Sequence, residues 1–213
     1  MKNNNFLSIE TSLDRVFLVL FIKNKLFHLE RKIKSSIEIV LNLMMKEILE
    51  TNKAIFTDLS FILVSLGPGS YTGTRVGLAA AKAISISIGK PILGYSNFES
   101  IYQQGVINGL LNTNNEIGII IKANKYEFYF QRIDNEEKSK IQVISRDLIY
   151  KKNNLPEPLL GNLKDNNILK KYIFCEPSKQ AIYNTFNKKK IYININKIND
   201  LKPYYPRGHY AKS

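Results

Sequence analysis

The chain has 213 residues, 44% of them hydrophobic, and carries a formal net charge of +13. That is long enough for one large domain or two small lobes, and apolar enough for a sizeable core. Its single cysteine, Cys175, excludes an intrachain disulfide and fits a reducing cytoplasm. Glu10 interrupts the first apolar run too early for a signal peptide, and Val16 to Ile22 is too short to cross a bilayer. We therefore expect a cytoplasmic protein with no membrane segment. The positive charge favours polyanions such as RNA. Lys, Asn and Ile are nevertheless abundant throughout, so patches such as Lys151 to Asn154 and Lys188 to Lys190 read first as solvated surface. No RNA-recognition module signature is present.

In chain order, Phe6 to Ser12, Arg15 to Ile22 and Lys25 to Ile33 read as three strands of an antiparallel meander. A helix follows over about Ser35 to Glu50, capped by Ser35 or Ser36. Ile37, Val40, Leu41, Met44, Met45 and Ile48 form its broad apolar face, but Ile39 and Leu43 lie on the other side. This helix therefore invites cover on both sides. Phe61 to Leu66 is a continuous apolar run, as in a buried parallel strand. A helix to Ile88, a short strand Ile92 to Tyr95, and a helix from Ser96 or Asn97 to about Val106 complete the first half. This order matches a ribonuclease H-like lobe, a mixed sheet with helices on its faces. From Leu110 a second lobe begins, with a hairpin of Glu116 to Lys122 and Tyr126 to Ile133 around Ala123-Asn124-Lys125. Ile141 to Ser145, Leu159 to Gly161, a strand near Ile173 and a helix near Ser178 to Phe186 follow. We expect an α/β fold of two lobes, 1–108 and 109–213, the second a reduced repeat of the first.

The most informative stretch is Ser65 to Ile88, where a Gly/Pro-rich turn opens into a helix of Gly, Ala, Ser and Ile. Such a turn can aim backbone N–H groups at a phosphate. The Walker pattern fails, because Thr72 and Thr74 stand where its second Gly is required. The dinucleotide pattern fails by one place: Gly67 and Gly69 fit, but the third Gly is Gly73. At helical period Gly73, Gly77, Ala80, Ala81 and Ile84 share a face, while Arg75 and Lys82 lie opposite. Side chains this small allow a close neighbour. That neighbour is either the chain's own domain or a second subunit, and spacing does not separate the two.

Catalytic patterns are absent from the sequence. His28 and His209 lie far apart with no ligand spacing, Cys175 has no partner signature, and no G-x-S-x-G elbow exists. Glu10-Thr11-Ser12, ending the first strand, is the one suggestive group. In two-lobed kinase-like ATPases an acidic residue there holds metal and phosphates. Here Leu13-Asp14 follow where Gly or Thr is usual, and the partner carboxylates for magnesium are not apparent. We therefore expect a vestigial or weak nucleotide site at Glu10, Thr11 and Ser12, and no metal.

The segment Gly67-Pro68-Gly69-Ser70-Tyr71-Thr72-Gly73-Thr74-Arg75-Val76-Gly77-Leu78-Ala79, with Ala81-Lys82-Ala83, closely resembles the TsaB (YeaZ) family. Ile9-Glu10-Thr11-Ser12, Pro91 to Ser96 with Phe98-Glu99, and Pro203-Tyr204-Tyr205-Pro206-Arg207 agree with it. The resemblance covers the first hundred residues well and is patchier beyond. It departs at Glu10, where the family has Asp, at Lys122-Ala123-Asn124-Lys125, where it has an Asp-Ala-Arg-type turn, and at Lys34-Ser35-Ser36, where it has His-Ser-Glu. The resemblance implies an actin/Hsp70/sugar-kinase-like fold and a non-catalytic subunit of the machinery that makes threonylcarbamoyladenosine in tRNA. It implies TsaD as the catalytic partner, TsaE as an ATPase in the assembly, a homodimer when alone, and indirect contact with tRNA. No cofactor is implied, with ATP or ADP only at the boundary of the complex. Two alternatives are an ATP-dependent small-molecule kinase and a peptidase of the M22 type, the latter disfavoured because the metal histidines are missing. Family members pair through first-lobe helices, which correspond here to Ser35–Glu50 and Thr72–Ile88. The expected interface residues are Ile37, Leu41, Met44, Met45 and Ile48 with Gly73, Val76, Gly77, Ala80, Ala81 and Ile84.

Overall fold

The computed structural model describes residues 4–33, 36–111, 116–134, 137–151, 155–164, 172–190 and 200–204. The chain forms two compact units, one of residues 1–97 with 182–204 and one of 98–181 with 205–213.

In the first unit, β1 (Phe6–Glu10), β2 (Arg15–Ile22), β3 (Lys25–Lys32), β4 (Phe61–Ser65) and β5 (Ile92–Tyr95) form a sheet of order β3-β2-β1-β4-β5. The pairs β1–β2 and β2–β3 are antiparallel, and β1–β4 and β4–β5 are parallel. Lys23 and Asn24 both have positive φ, the two-residue turn whose twist suits a tight hairpin. Side chains alternate across the sheet. Leu7, Ile9, Leu18, Leu20, Ile62 and Val64 pack with residues of α1 (Ile37–Thr51) and α2 (Tyr71–Ile88). On the other face Phe6, Val19, Leu63 and Tyr95 pack with Ile182 and Phe186 of α5 (Lys179–Lys189). Cover on both faces is why β4 and most of β2 read as continuous apolar runs.

The second unit holds β6 (Glu116–Lys122), β7 (Glu127–Asp134), β8 (Glu137–Lys138), β9 (Gln142–Ser145), β10 (Leu159–Gly161) and β11 (Tyr172–Phe174). β7 pairs antiparallel with both β6 and β9, while β6, β10 and β11 run parallel. The path β9-β7-β6-β10-β11 repeats the first sheet's connectivity, with β10 and β11 only three residues long. The reduced-repeat expectation and the α/β, ribonuclease H-like fold are thus met. Ile120, Phe128, Phe130, Ile144, Leu159 and Leu163 form its core with Ile149 of α4 (Arg146–Lys151).

The chain leaves the first unit at residues 97–98, not at 108–109, and returns at 181–182. Side chains explain both crossings. α3 (Asn97–Ile107) is tied to the second unit, where Gln104 accepts from the Ser178 amide at 2.9 Å and Glu99 pairs with Lys138. Ile182 and Phe186 complete the first unit's aromatic cluster, and Phe186 lies 4.4 Å from Phe6 between ring centres. At the start of α1, Ser36 donates to Glu38 instead of capping the helix backbone, which lowers the Glu38 pKa, and Ser35 lies outside the described residues. Among the described residues no helix is long and apolar enough to cross a membrane.

Candidate functional site

The Gly-rich loop joins β4 to α2. Gly67 has φ +84°, a left-handed conformation that favours glycine. Its amide donates to Ser65 Oγ at 3.1 Å, the Ser70 amide to the Ser12 carbonyl at 2.8 Å, and the Gly73 amide to Ser70 Oγ at 3.2 Å. These donors are committed within the chain, so they do not form a cradle for an incoming phosphate. A Cβ at Gly69 would collide with the Ser12 carbonyl oxygen, and one at Gly73 with that of Thr11. The β1–β2 turn itself occupies the space beside the loop.

Asn97, at the start of α3, ties this region together. Its Nδ2 donates to Ser12 Oγ at 2.7 Å and to the Pro68 carbonyl at 2.8 Å. Its Oδ1 accepts from Ser65 Oγ at 2.7 Å, and its amide donates to the Gly67 carbonyl at 2.8 Å. The sequence marked Asn97 only as a helix cap. The nearby Ser65, Pro68 and Ser12 become its partners through β4–β5 pairing, which local sequence does not display.

Glu10, Thr11 and Ser12 are brought together as expected, and their polar atoms face the chain. Glu10 Oε1 accepts from the Ser12 amide, the Ser12 hydroxyl and the Leu13 amide. Thr11 Oγ1 donates to the Gly73 carbonyl at 2.7 Å. Glu10 is buried, and its Oε2 has no hydrogen-bond partner among the described residues. Burial raises its pKa against the opposing pull of Arg15 and the hydrogen bonds from Ser12 and Leu13. Burial, then the charge of Glu10, raises the Tyr95 phenol as well. The arrangement pins a turn. Among the described residues no three His, Cys, Asp or Glu side chains converge as metal ligands.

The other candidates are dispersed. His28 sits on β3 with its ring edge-on to Phe17 at 5.9 Å, and His209 lies outside the described residues. Cys175 is buried, its thiol pushed up to about 11 by desolvation, which makes it a poor nucleophile.

The expected interface requires correction. Ile37, Leu41, Met44, Met45 and Ile48 are buried in the first unit's own core. Gly73 and Gly77 press α2 onto Thr11, where a Cβ on Gly77 would collide with Oγ1, and Ala81 is fully buried. The small-residue stripe thus serves close packing of α2 on β1 within its own lobe. Val76, Ala80 and Ile84 are half-buried against the same core. What remains exposed is the opposite side of the two helices: Ile39 (59%) and Leu43 (55%) on α1, and Ile86 (67%) beside exposed Ala79 and Ala83 on α2. The sequence signal for the first pair was their place off α1's main apolar face.

A family model described as "TsaD: tRNA N6-adenosine threonylcarbamoyltransferase" matches residues 34–193. A protein named tRNA threonylcarbamoyladenosine biosynthesis protein TsaB, from Buchnera aphidicola subsp. Acyrthosiphon pisum, is 28% identical over 95% of this chain and 88% of its own length. Its namesake from Buchnera aphidicola subsp. Schizaphis graminum is 31% identical over 46% of this chain, which spans about half (47%) of that relative. Among solved structures, YeaZ from Pseudomonas aeruginosa superposes with a TM-score of 0.77, covering 96% of this chain and 100% of that one at 14% identity.

Proposed function

The chain belongs to the TsaB family, within the group matched by the TsaD model, and on that premise we propose a role in tRNA threonylcarbamoyladenosine biosynthesis. In this reading it is a non-catalytic subunit that binds and activates TsaD, with TsaE joining the assembly. Nucleotide enters only at the boundary of the complex, and the same surface closes a homodimer when the chain is alone.

One observation carries the reading. Ile39, Leu43 and Ile86 stand exposed on α1 and α2, Ile86 beside Ala79 and Ala83 and flanked on the same face by Arg75 and Lys82. Large aliphatic side chains among small ones make a shallow apolar surface of the kind a partner helix covers. The buried stripe beneath fixes α2 rigidly against β1, so the surface is held in one pose. The commitment of the Gly67, Ser70 and Gly73 amides to internal partners supports a scaffold over a kinase-like enzyme.

Co-purification with TsaD tests this. Ile39→Glu with Leu43→Glu should abolish the complex, while circular dichroism and thermal midpoint stay near those of the parent. A complex of unchanged yield would remove α1–α2 as the docking face.

A further inference from the structure

The tip of the β6–β7 hairpin carries a second exposed feature, in the other unit. Tyr126 is 67% exposed, the same as Ile86, and the Lys125 ammonium sits 5.4 Å from its ring centroid. The exposure does not come from a loose loop. The Tyr126 amide donates to Asn124 Oδ1 at 2.8 Å, and its carbonyl accepts from the Arg146 amide at 2.7 Å. Asn124 Nδ2 in turn donates to Glu127 at 2.8 Å. The tip therefore holds a flat aromatic ring outward on a fixed backbone.

The surroundings are basic. Lys122 ends β6, and its amide reaches Asn162 Oδ1, which brings the segment leading to Lys164 alongside. Lys122, Lys125 and Lys164 are exposed and form no ion pair among the described residues. Arg146 adds a fourth cation at the start of α4. Against these stand Glu127, held by Asn124, and exposed Asp147. An exposed ring among lysines suits a nucleobase flanked by phosphates: the ring stacks the base and the ammonium groups neutralise the backbone. The excess of cations over acids at the tip, on a chain of net charge +13, matches a polyanion.

We propose that the β6–β7 tip is a direct RNA contact, in which Tyr126 stacks an unpaired base and Lys122, Lys125 and Lys164 meet the adjoining phosphates. The choice of RNA rests on the role in tRNA modification proposed above. The contact lies within the second unit, and α1 and α2 belong to the first.

The test is fluorescence anisotropy with a labelled stem-loop RNA of unpaired loop bases, against a blunt duplex of equal length. Both the isolated full chain and its complex with TsaD are used. Tyr126→Ala should weaken stem-loop binding about tenfold, while Tyr126→Phe keeps it and duplex binding is unmoved. Lys122→Ala with Lys125→Ala should lower the slope of log affinity against log salt by roughly 1 to 2. Co-purification of Tyr126→Ala with TsaD at parental yield, beside lost RNA affinity, separates this contact from partner docking. Equal stem-loop affinity for parent and Tyr126→Ala in both preparations would overturn it. So would a poly-glutamate peptide that binds with the same dependence on Tyr126, since the tip would then read acidic protein.

Discussion

The two faces of α2 both carry small residues, the outer one beside Arg75 and Lys82, and they have opposite fates. Gly73, Gly77, Ala81 and Ser85 turn inward against β1 and its following turn, while Ala79, Ala83 and Ile86 turn outward. The inner face needs glycine, because Thr11 stands where a Cβ would be. The outer face has no such constraint: it tolerates Cβ atoms and still carries apolar ones. Small residues therefore mark close approach only when a neighbouring backbone is in reach. The inward glycines act on folding, and the outward aliphatics are the docking face proposed above.

The largest expected effect lies inward. Gly77→Leu drives a side chain into Thr11 Oγ1 and toward Ile9 and should destabilise the chain by about 3 kcal/mol or more. Urea unfolding measures this, and a loss below about 1 kcal/mol would mean that α2 can slide away from β1. Next is Asn97→Ala, which strips partners from Ser12, Ser65 and the Pro68 carbonyl while keeping the backbone bond to Gly67. It should cost about 2–3 kcal/mol by the same measurement.

A smaller, pH-dependent effect belongs to Glu10. Its folded pKa is raised by burial, so folding favours the protonated form. The stability it supports is full below the ordinary carboxylate range and is lost as pH rises through its folded pKa. Glu10→Gln keeps the Oε1 acceptor and cannot ionise. Its melting temperature relative to the parent should climb across that window and then level off, whereas parallel melting curves over all pH values would show that the buried carboxyl is not the titrating group. Smallest in stability is the outward pair: Ile39→Glu with Leu43→Glu should shift unfolding by no more than about 0.5 kcal/mol for each exposed position.

Much of this was legible beforehand where one physical rule dominates. The continuous apolar run at Phe61 to Leu66 marked a buried strand, and the short polar turns between Phe6 and Ile33 marked the meander. The strand and helix order gave the first sheet, and the hairpin at Ala123 to Lys125 gave the second. The candidate site was less legible, because periodicity reports that a face is apolar without reporting what covers it. Ile37 to Ile48 and Ile39–Leu43 are both apolar sets on one helix, and only the packed sheet distinguishes them. The six-residue α4 has too few turns to show a period, and Lys151 with its Asn-rich sequel reads as loop. The return of the chain at Ile182 into the first unit rests on contacts with Phe6 and Phe61, far away in sequence.

The most direct measurement of the central claim is reconstituted tRNA threonylcarbamoylation by TsaD and TsaE with parental chain, with the Ile39→Glu, Leu43→Glu variant, or with no added chain. A docking scaffold predicts that the folded variant gives the rate seen with no chain. A variant as active as the parent would contradict it.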